Sequence, residues 1–358
     1  FWQLFGSFFK KQNLLLQALQ ALQRADECAQ GRWDYLQEEI EETAYALTKQ
    51  LEEEGFEDRW SMANLCWTAC RFDKVRQILE SMEPSEDNER TWLMLMAGSC
   101  HRLEDYKAAL EYRQKIWDIY EPRKRPLELY MDLAEEYGLT GERDKALEIY
   151  GQAAETFTET AEVYYRQAKL LEEDGRQKEA VQMCSKALSV EFHRDAFNLW
   201  MELLLDMGDY EQVRERASHV MEQGYRPAQV LFDYARALRK LEEYEEAEKV
   251  LKELYDRTAG AELVCEEYAS LFYDMDKPKE ALRWIEEALE KRETPRRLYM
   301  KADYLHDLQR FEEEIGIYQK LESQGLDDYY VKYRLGRALE EIDLFEEAEA
   351  NFRASIEK

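Results

Sequence analysis

Four histidines, six cysteines and a recurrent set of arginines and aromatics are the groups in this chain with chemistry to offer. His101, His193, His219 and His306 are scattered, so none has the spacing of paired metal ligands or of a base beside a nucleophile. Cys66 and Cys70 share a helix face at i and i+4, but no second ligand pair accompanies them and no C-x-x-C occurs. Phosphate-cradling G-x-G-x-x-G and G-x-x-x-x-G-K-[ST], the zinc motif H-E-x-x-H and the nucleophile elbow G-x-S-x-G are all absent. The segment DMDKPK lacks the glycine and distal glutamate of a calcium loop. The expectation is a non-enzymatic chain without metal or cofactor, whose cysteines stay reduced in a cytoplasmic setting.

The elements that position these residues repeat. Tyr130, Leu133, Ala134 and Tyr137 form one stripe of an amphipathic helix, Gly141 interrupts it, and Ala146, Tyr150 and Ala153 form a second stripe. Two short helices must fold back on each other, with small residues allowing close approach. The position of Ala146 recurs at Ala180, Val213, Ala247, Ala281, Glu314 and Ala348, in steps of 33 or 34 residues, and upstream at Ala109 and Val75. A degenerate first unit falls at Leu16–Leu51, with Trp33 and Leu36 in matching places. Glu314 sits where a small residue is expected, so that hairpin is either spread or shifted by one to place Ile315 inward.

The order Tyr130, Leu133, Ala134, Tyr137, Ala146, Tyr150, Ala153 resembles the tetratricopeptide repeat (TPR), W-x2-L-G-x2-Y followed by A-x3-F-x2-A. The resemblance covers nine to ten tandem hairpins, nearly the whole chain. It implies an all-α, right-handed superhelical solenoid of antiparallel helix hairpins. It also implies that positions 2, 5, 9 and 12 of each first helix line a concave groove that binds a partner segment. Those positions here include Trp60, Asn64 and Trp67, then Met94 and His101, then Tyr165 and Lys169 beside Arg166. Asn198 and Leu205 follow, then Phe232, Arg236 and Arg239, then Tyr273, Arg296, Tyr299, Tyr330, Tyr333 and Arg337. Aromatics and arginines supply rigid contact area and bidentate pairing with carboxylates, which points to a peptide or protein partner with acidic and apolar side chains. The same residues equally suit packing against the neighbouring repeat. The carboxylate clamp of chaperone-binding relatives is not assembled: Asn64 stands at position 9 but Trp60 at position 5, and Arg166 at position 6 but Glu162 at position 2. His101 and His306 occupy one repeat position and are expected to be ordinary exposed histidines.

Bulk composition agrees with this reading. An apolar fraction of 45% with only 14 Gly and 6 Pro suits an ordered helical chain. The net charge of −29, carried on outer faces and helix starts, disfavours nucleic acid and anionic membrane as partners. Cys66, Cys100, Cys184 and Cys265 fall at hairpin-core positions. Residues 1–12 (FWQLFGSFFKKQ) form an aromatic segment, read as a cap on the first hairpin or the tail of a membrane anchor, with Phe1, Trp2, Leu4, Phe5, Phe8 and Phe9 as its apolar groups. Residues 13–120 read as N-terminal hairpins, 121–126 (EPRKRP) as a basic, Pro-flanked linker, and 127–358 as a regular array. Phe345, Phe352 and Ile356 are expected to face solvent, an uncapped end suited to self-association. Beyond a scaffold, three readings remain: a substrate-binding or regulatory arm of a larger enzyme or J-domain-type co-chaperone, a membrane-tethered assembly factor, and a self-assembling structural protein.

Overall fold

The computed structural model describes residues 2–11, 13–29, 34–326 and 328–357. Phe1 and Trp33 lie outside the described residues, as do the side chains of Trp2, Phe5 and Phe8. Among the described residues every regular element is a helix, and the chain divides into two compact units, residues 1–193 and 194–358.

In the first unit the helices are α1 (Trp2–Lys11), α2 (Leu15–Ala29), α3 (Asp34–Glu53), α4 (Arg59–Thr68), α5 (Phe72–Glu80) and α6 (Glu89–Arg102). They continue with α7 (Tyr106–Ile119), α8 (Leu127–Leu139), α9 (Arg143–Thr156), α10 (Ala161–Glu173) and α11 (Gln177–Val190). The second unit holds α12 (Arg194–Asp206), α13 (Tyr210–Glu222), α14 (Ala228–Lys240), α15 (Tyr244–Arg257) and α16 (Glu262–Asp274). It ends with α17 (Pro278–Lys291), α18 (Pro295–Asp307), α19 (Phe311–Ser323), α20 (Tyr329–Glu341) and α21 (Phe345–Glu357). Within each unit, successive helices pack on one another as hairpins.

The hairpin core is the set of residues whose spacing defined the repeat. Tyr130, Leu133, Ala134, Ala146, Tyr150 and Ala153 are all buried. In other hairpins Cys66, Cys100, Cys184 and Cys265 are buried as small apolar side chains. In the second unit Tyr268 stacks on Trp284 with centroids 4.3 Å apart, over a floor of Ala269, Ala281 and Ile285.

Each inner turn uses one backbone device. The residue five positions before the small core residue has positive φ: Cys70, Glu104, Gly141, Gly175, Gly208, Glu242, Asp276, Gln309 and Asp343. The next N–H then donates back to a carbonyl five residues earlier, as Glu142 does to Tyr137 at 2.8 Å and Arg310 to Leu305 at 2.9 Å. This closes the preceding helix by satisfying its last carbonyls. Gly141, Gly175 and Gly208 adopt this conformation without steric cost, whereas the other six residues carry a Cβ in it.

Several expectations are revised. Glu314 and Ile315 are both buried, so Ile315 lies inward without Glu314 turning out to solvent. Glu314 is accommodated because His306 Nδ1 lies 2.9 Å from its carboxylate. Phe345 and Ile356 face solvent as expected, but Phe352 is half-buried, packed against Gly336 and Tyr333. The basic linker forms a turn of 3₁₀ helix, Pro122–Lys124, inside the first unit. There Arg125 stacks on Trp117 at 3.8 Å. The helix α1 packs along α2, where Gly6 faces Leu22. Among the described residues, no helix is long and apolar enough to cross a membrane.

Candidate functional site

The stripe predicted on the first helices divides into residues committed to packing and residues left to solvent. In the first unit Trp60 is half-buried against the Met62, Val75 and Leu79 cluster. Trp67 packs the outer edge of its indole against Gly98, 2.5 Å from where a Cβ would stand, and meets Phe72 edge to face at 5.3 Å. A side chain on residue 98 would displace the indole. Asn64 is exposed, its amide donating to the carbonyl of Trp60 at 2.9 Å. Tyr165 leans on His193 with centroids 4.9 Å apart. Lys169 is exposed beside Tyr150, Arg166 and Glu135.

In the second unit Arg236 is half-buried over the ring of Phe232 at 6.0 Å. Arg239 differs: its side chain is 10% exposed and is held by Glu267 at 2.6 Å and by Asp274. That guanidinium is already neutralised within the fold. Tyr299 meets Tyr330 edge to face at 5.8 Å, and Tyr333 is 44% exposed. Arg337 donates to the Tyr333 hydroxyl, which holds its pKa above the ordinary value.

Sequence reasoning missed three buried acidic residues on the first helices, and the acidic residue it did single out, Glu314 at the small-residue position of α19, is buried as well. Glu136, Asp233, Glu267 and Glu314 are buried. The two histidines at one repeat position are half-buried partners of two of them, not ordinary exposed side chains. His101 Nδ1 lies 2.9 Å from Glu136 and its ring packs edge to face on Tyr106; His306 repeats this with Glu314 and Phe311. His193 pairs likewise with Glu162 at 2.9 Å. Burial pushes the carboxyls of Glu136 and Glu314 up, and that of Asp233 up to about 6. Asp132 is paired with Arg113 at 2.8 Å. For Glu136, Asp233 and Glu267 the available signal was a charged residue one step off the buried stripe of a first helix, which periodicity alone assigns to solvent.

Among the described residues, no group of three or more His, Cys, Asp or Glu is arranged to hold a metal ion. The first unit presents an exposed cation at Lys169, and the second a half-buried one at Arg236 over an aromatic ring; His101 of the preceding hairpin holds the buried Glu136, and Arg239 of the preceding hairpin holds Glu267.

Comparison with known proteins agrees with this architecture. Residues 131–197 and 200–262 match the family model of the tetratricopeptide repeat. A tetratricopeptide repeat protein from Parabacteroides merdae superposes with TM-score 0.51 and 19% identity, over 70% of this chain and 99% of that one. The C-terminal part of a TPR repeat-containing protein from Cytophaga hutchinsonii superposes with TM-score 0.54 and 13% identity, over 65% of this chain and 98% of that one. At these identities the likeness concerns the fold. No curated protein matches the chain.

Proposed function

The chain is a tetratricopeptide-repeat protein, and from that premise we propose that it is a non-enzymatic scaffold holding a partner segment against the first-helix faces of its hairpins. The observation that carries this reading is the split within the stripe. Arg239 is consumed by the fold, whereas Lys169, Arg236 and Tyr333 keep accessible surface that the core does not use. Accessible aromatics and cations side by side are the composition of interface anchors. In the second unit, Phe232 with Arg236 and Tyr333 with Arg337 suit a segment bearing acidic and apolar side chains. Its place of action is proposed to be the cytoplasm.

The test is site-specific photo-crosslinking in the native cell. A photoreactive phenylalanine analogue replaces Phe232 or Tyr333 on the stripe, or Glu215 on the exposed face of α13 as control. One protein captured from both stripe positions and not from Glu215 supports the scaffold reading. Equal capture from all three positions, or capture from none, refutes it.

A further inference from the structure

Three clefts run along the first helices of the first unit and share walls. The first, about 700 Å³, lies between Asp26, Glu27 and Glu41 on one side and Trp67, Phe72 and Arg102 on the other. Trp67 and Arg102 also wall the second, about 390 Å³, whose floor holds Arg113, Asp132, Glu135 and Glu136. Glu135 continues into the third, about 150 Å³, beside Tyr150, Arg166 and Lys169. The shared side chains make these clefts one trough.

Charge along the trough is unevenly compensated. The basic groups of its middle are engaged: Arg113 with Asp132 at 2.8 Å, His101 with Glu136 at 2.9 Å, and Arg102 over the Phe72 ring at 5.9 Å. Further along, Arg166 is held by Glu162 at 2.6 Å. At the mouth, Glu41 accepts from two neutral donors, the Gln37 amide at 3.1 Å and the Cys70 thiol, and among the described residues no cation is paired with Asp26, Glu27 or Glu41. Deeper in, Glu136 is 1% exposed and its Oε2 has no hydrogen-bond partner. A buried carboxylate oxygen without a donor is costly to leave, and Glu136 is one of the side chains that line the second cleft.

We infer that this trough takes an extended, basic segment of a partner protein, with one arginine or lysine met by Asp26, Glu27 and Glu41 and a second N–H donor group reaching Glu135 and Glu136. The inference rests on the scaffold reading above and names the chemistry of the first unit's ligand. Trp67, which walls both clefts, supplies a face for the stem or guanidinium plane of the basic side chain. An arginine fits the deeper place best, because its planar fork delivers two donors to paired carboxylates. The net charge of −29 draws such a segment in over longer distance.

The experiment selects a random dodecapeptide library, displayed on phage, against the immobilised full chain. The expected result is enrichment of Arg or Lys at two or more positions. The most enriched peptide, synthesised with a fluorescein label, should then bind the D26N/E27Q/E41Q variant about tenfold more weakly by anisotropy. Its affinity for the unaltered chain should also fall as salt rises from about 50 to about 500 mM. Glu27 is exposed and Asp26 and Glu41 are half-buried, outside the buried core, and the three substitutions are isosteric, so circular dichroism of the variant should match that of the unaltered chain. Enrichment of acidic or uncharged peptides overturns the basic ligand while leaving the scaffold reading in place. No enrichment, or equal binding to the triple variant, overturns docking in this trough; the crosslinking experiment then decides the scaffold reading separately.

Discussion

Replacing selected turn residues by glycine should stabilise this protein, by an amount that follows from its backbone. Glu104, Glu242 and Gln309 sit at inner turns with φ of 60°, 62° and 57°, and all three are exposed. An L-residue there carries about 1–2 kcal/mol of steric cost. Glycine removes that cost but loses about 0.5–1 kcal/mol more backbone entropy on folding. The difference leaves about 0.5–1 kcal/mol of net stabilisation per substitution. Glu242 and Gln309 lie in different hairpins of the second unit, so E242G and Q309G should add. Together they give about 1–2 kcal/mol, which for a unit of this size raises Tm by about 2–8 °C. Gly141, at φ 86°, is the control of opposite sign, and G141A should cost about 1 kcal/mol. Thermal scans and urea titrations of the full chain read both effects. An unchanged or lowered Tm in E242G/Q309G, together with a neutral G141A, would refute the assignment of strain to these turns.

Three further outcomes are expected. Because the folded pKa of Asp233, about 6, lies above its ordinary 3.8, the folded state holds that proton longer, and stability from this group is lost as pH rises from about 4 to about 6. D233N should therefore stabilise by about 1–3 kcal/mol near pH 7.5 and have no effect near pH 4, and a gain independent of pH would contradict the linkage. H306A leaves the buried Glu314 carboxylate without its donor and should cost about 1–3 kcal/mol, part of it recovered in H306A/E314A; strict additivity in urea titrations of the cycle would show the pair is not coupled. Of the six cysteines, Cys28 and Cys70 are exposed and should react with Ellman's reagent in the folded protein. The other four are buried, with the Cys184 thiol pushed up to about 12 by burial, so more than two fast thiols would contradict the packing.

The fold was legible because its signal is periodic. Tyr130, Leu133, Ala134 and Ala146 carry their burial in spacing alone, and Gly141, Gly175 and Gly208 announce their turns by residue type. The turns at Glu104, Glu242 and Gln309 carry no such marker, since position in the repeat, not side chain, puts them at positive φ. The candidate site was read less completely. Trp67, Lys169 and Arg236 were identified as stripe residues, but the buried Glu136, Asp233 and Glu267 were not, nor were the engagement of Arg239 and the His306 partner of Glu314. Helical periodicity reports which face a residue is on. It does not report which side chain of the next hairpin stands opposite, and that partner decides whether a charge is buried, paired or free. Glu314 shows the limit most clearly, because a position that calls for a small residue takes a carboxylate once His306 reaches it.

Charge pairing between successive hairpins gives each unit a fixed order. Within the second unit Arg239 of α14 is held by α16, and Arg297 of α18, itself 3% exposed, is held by Glu266 of α16 at 2.8 Å. Asp132 of α8 depends in the same way on Arg113 of α7. Hairpins that look interchangeable by their apolar pattern are therefore keyed to their neighbours. Excising, duplicating or transposing one of them would keep every hydrophobic contact type and still strand a buried charge. Such shuffling is governed by which ionised side chain each junction exposes, and a variant with reordered hairpins would need its arginines and acids moved with the seam between them.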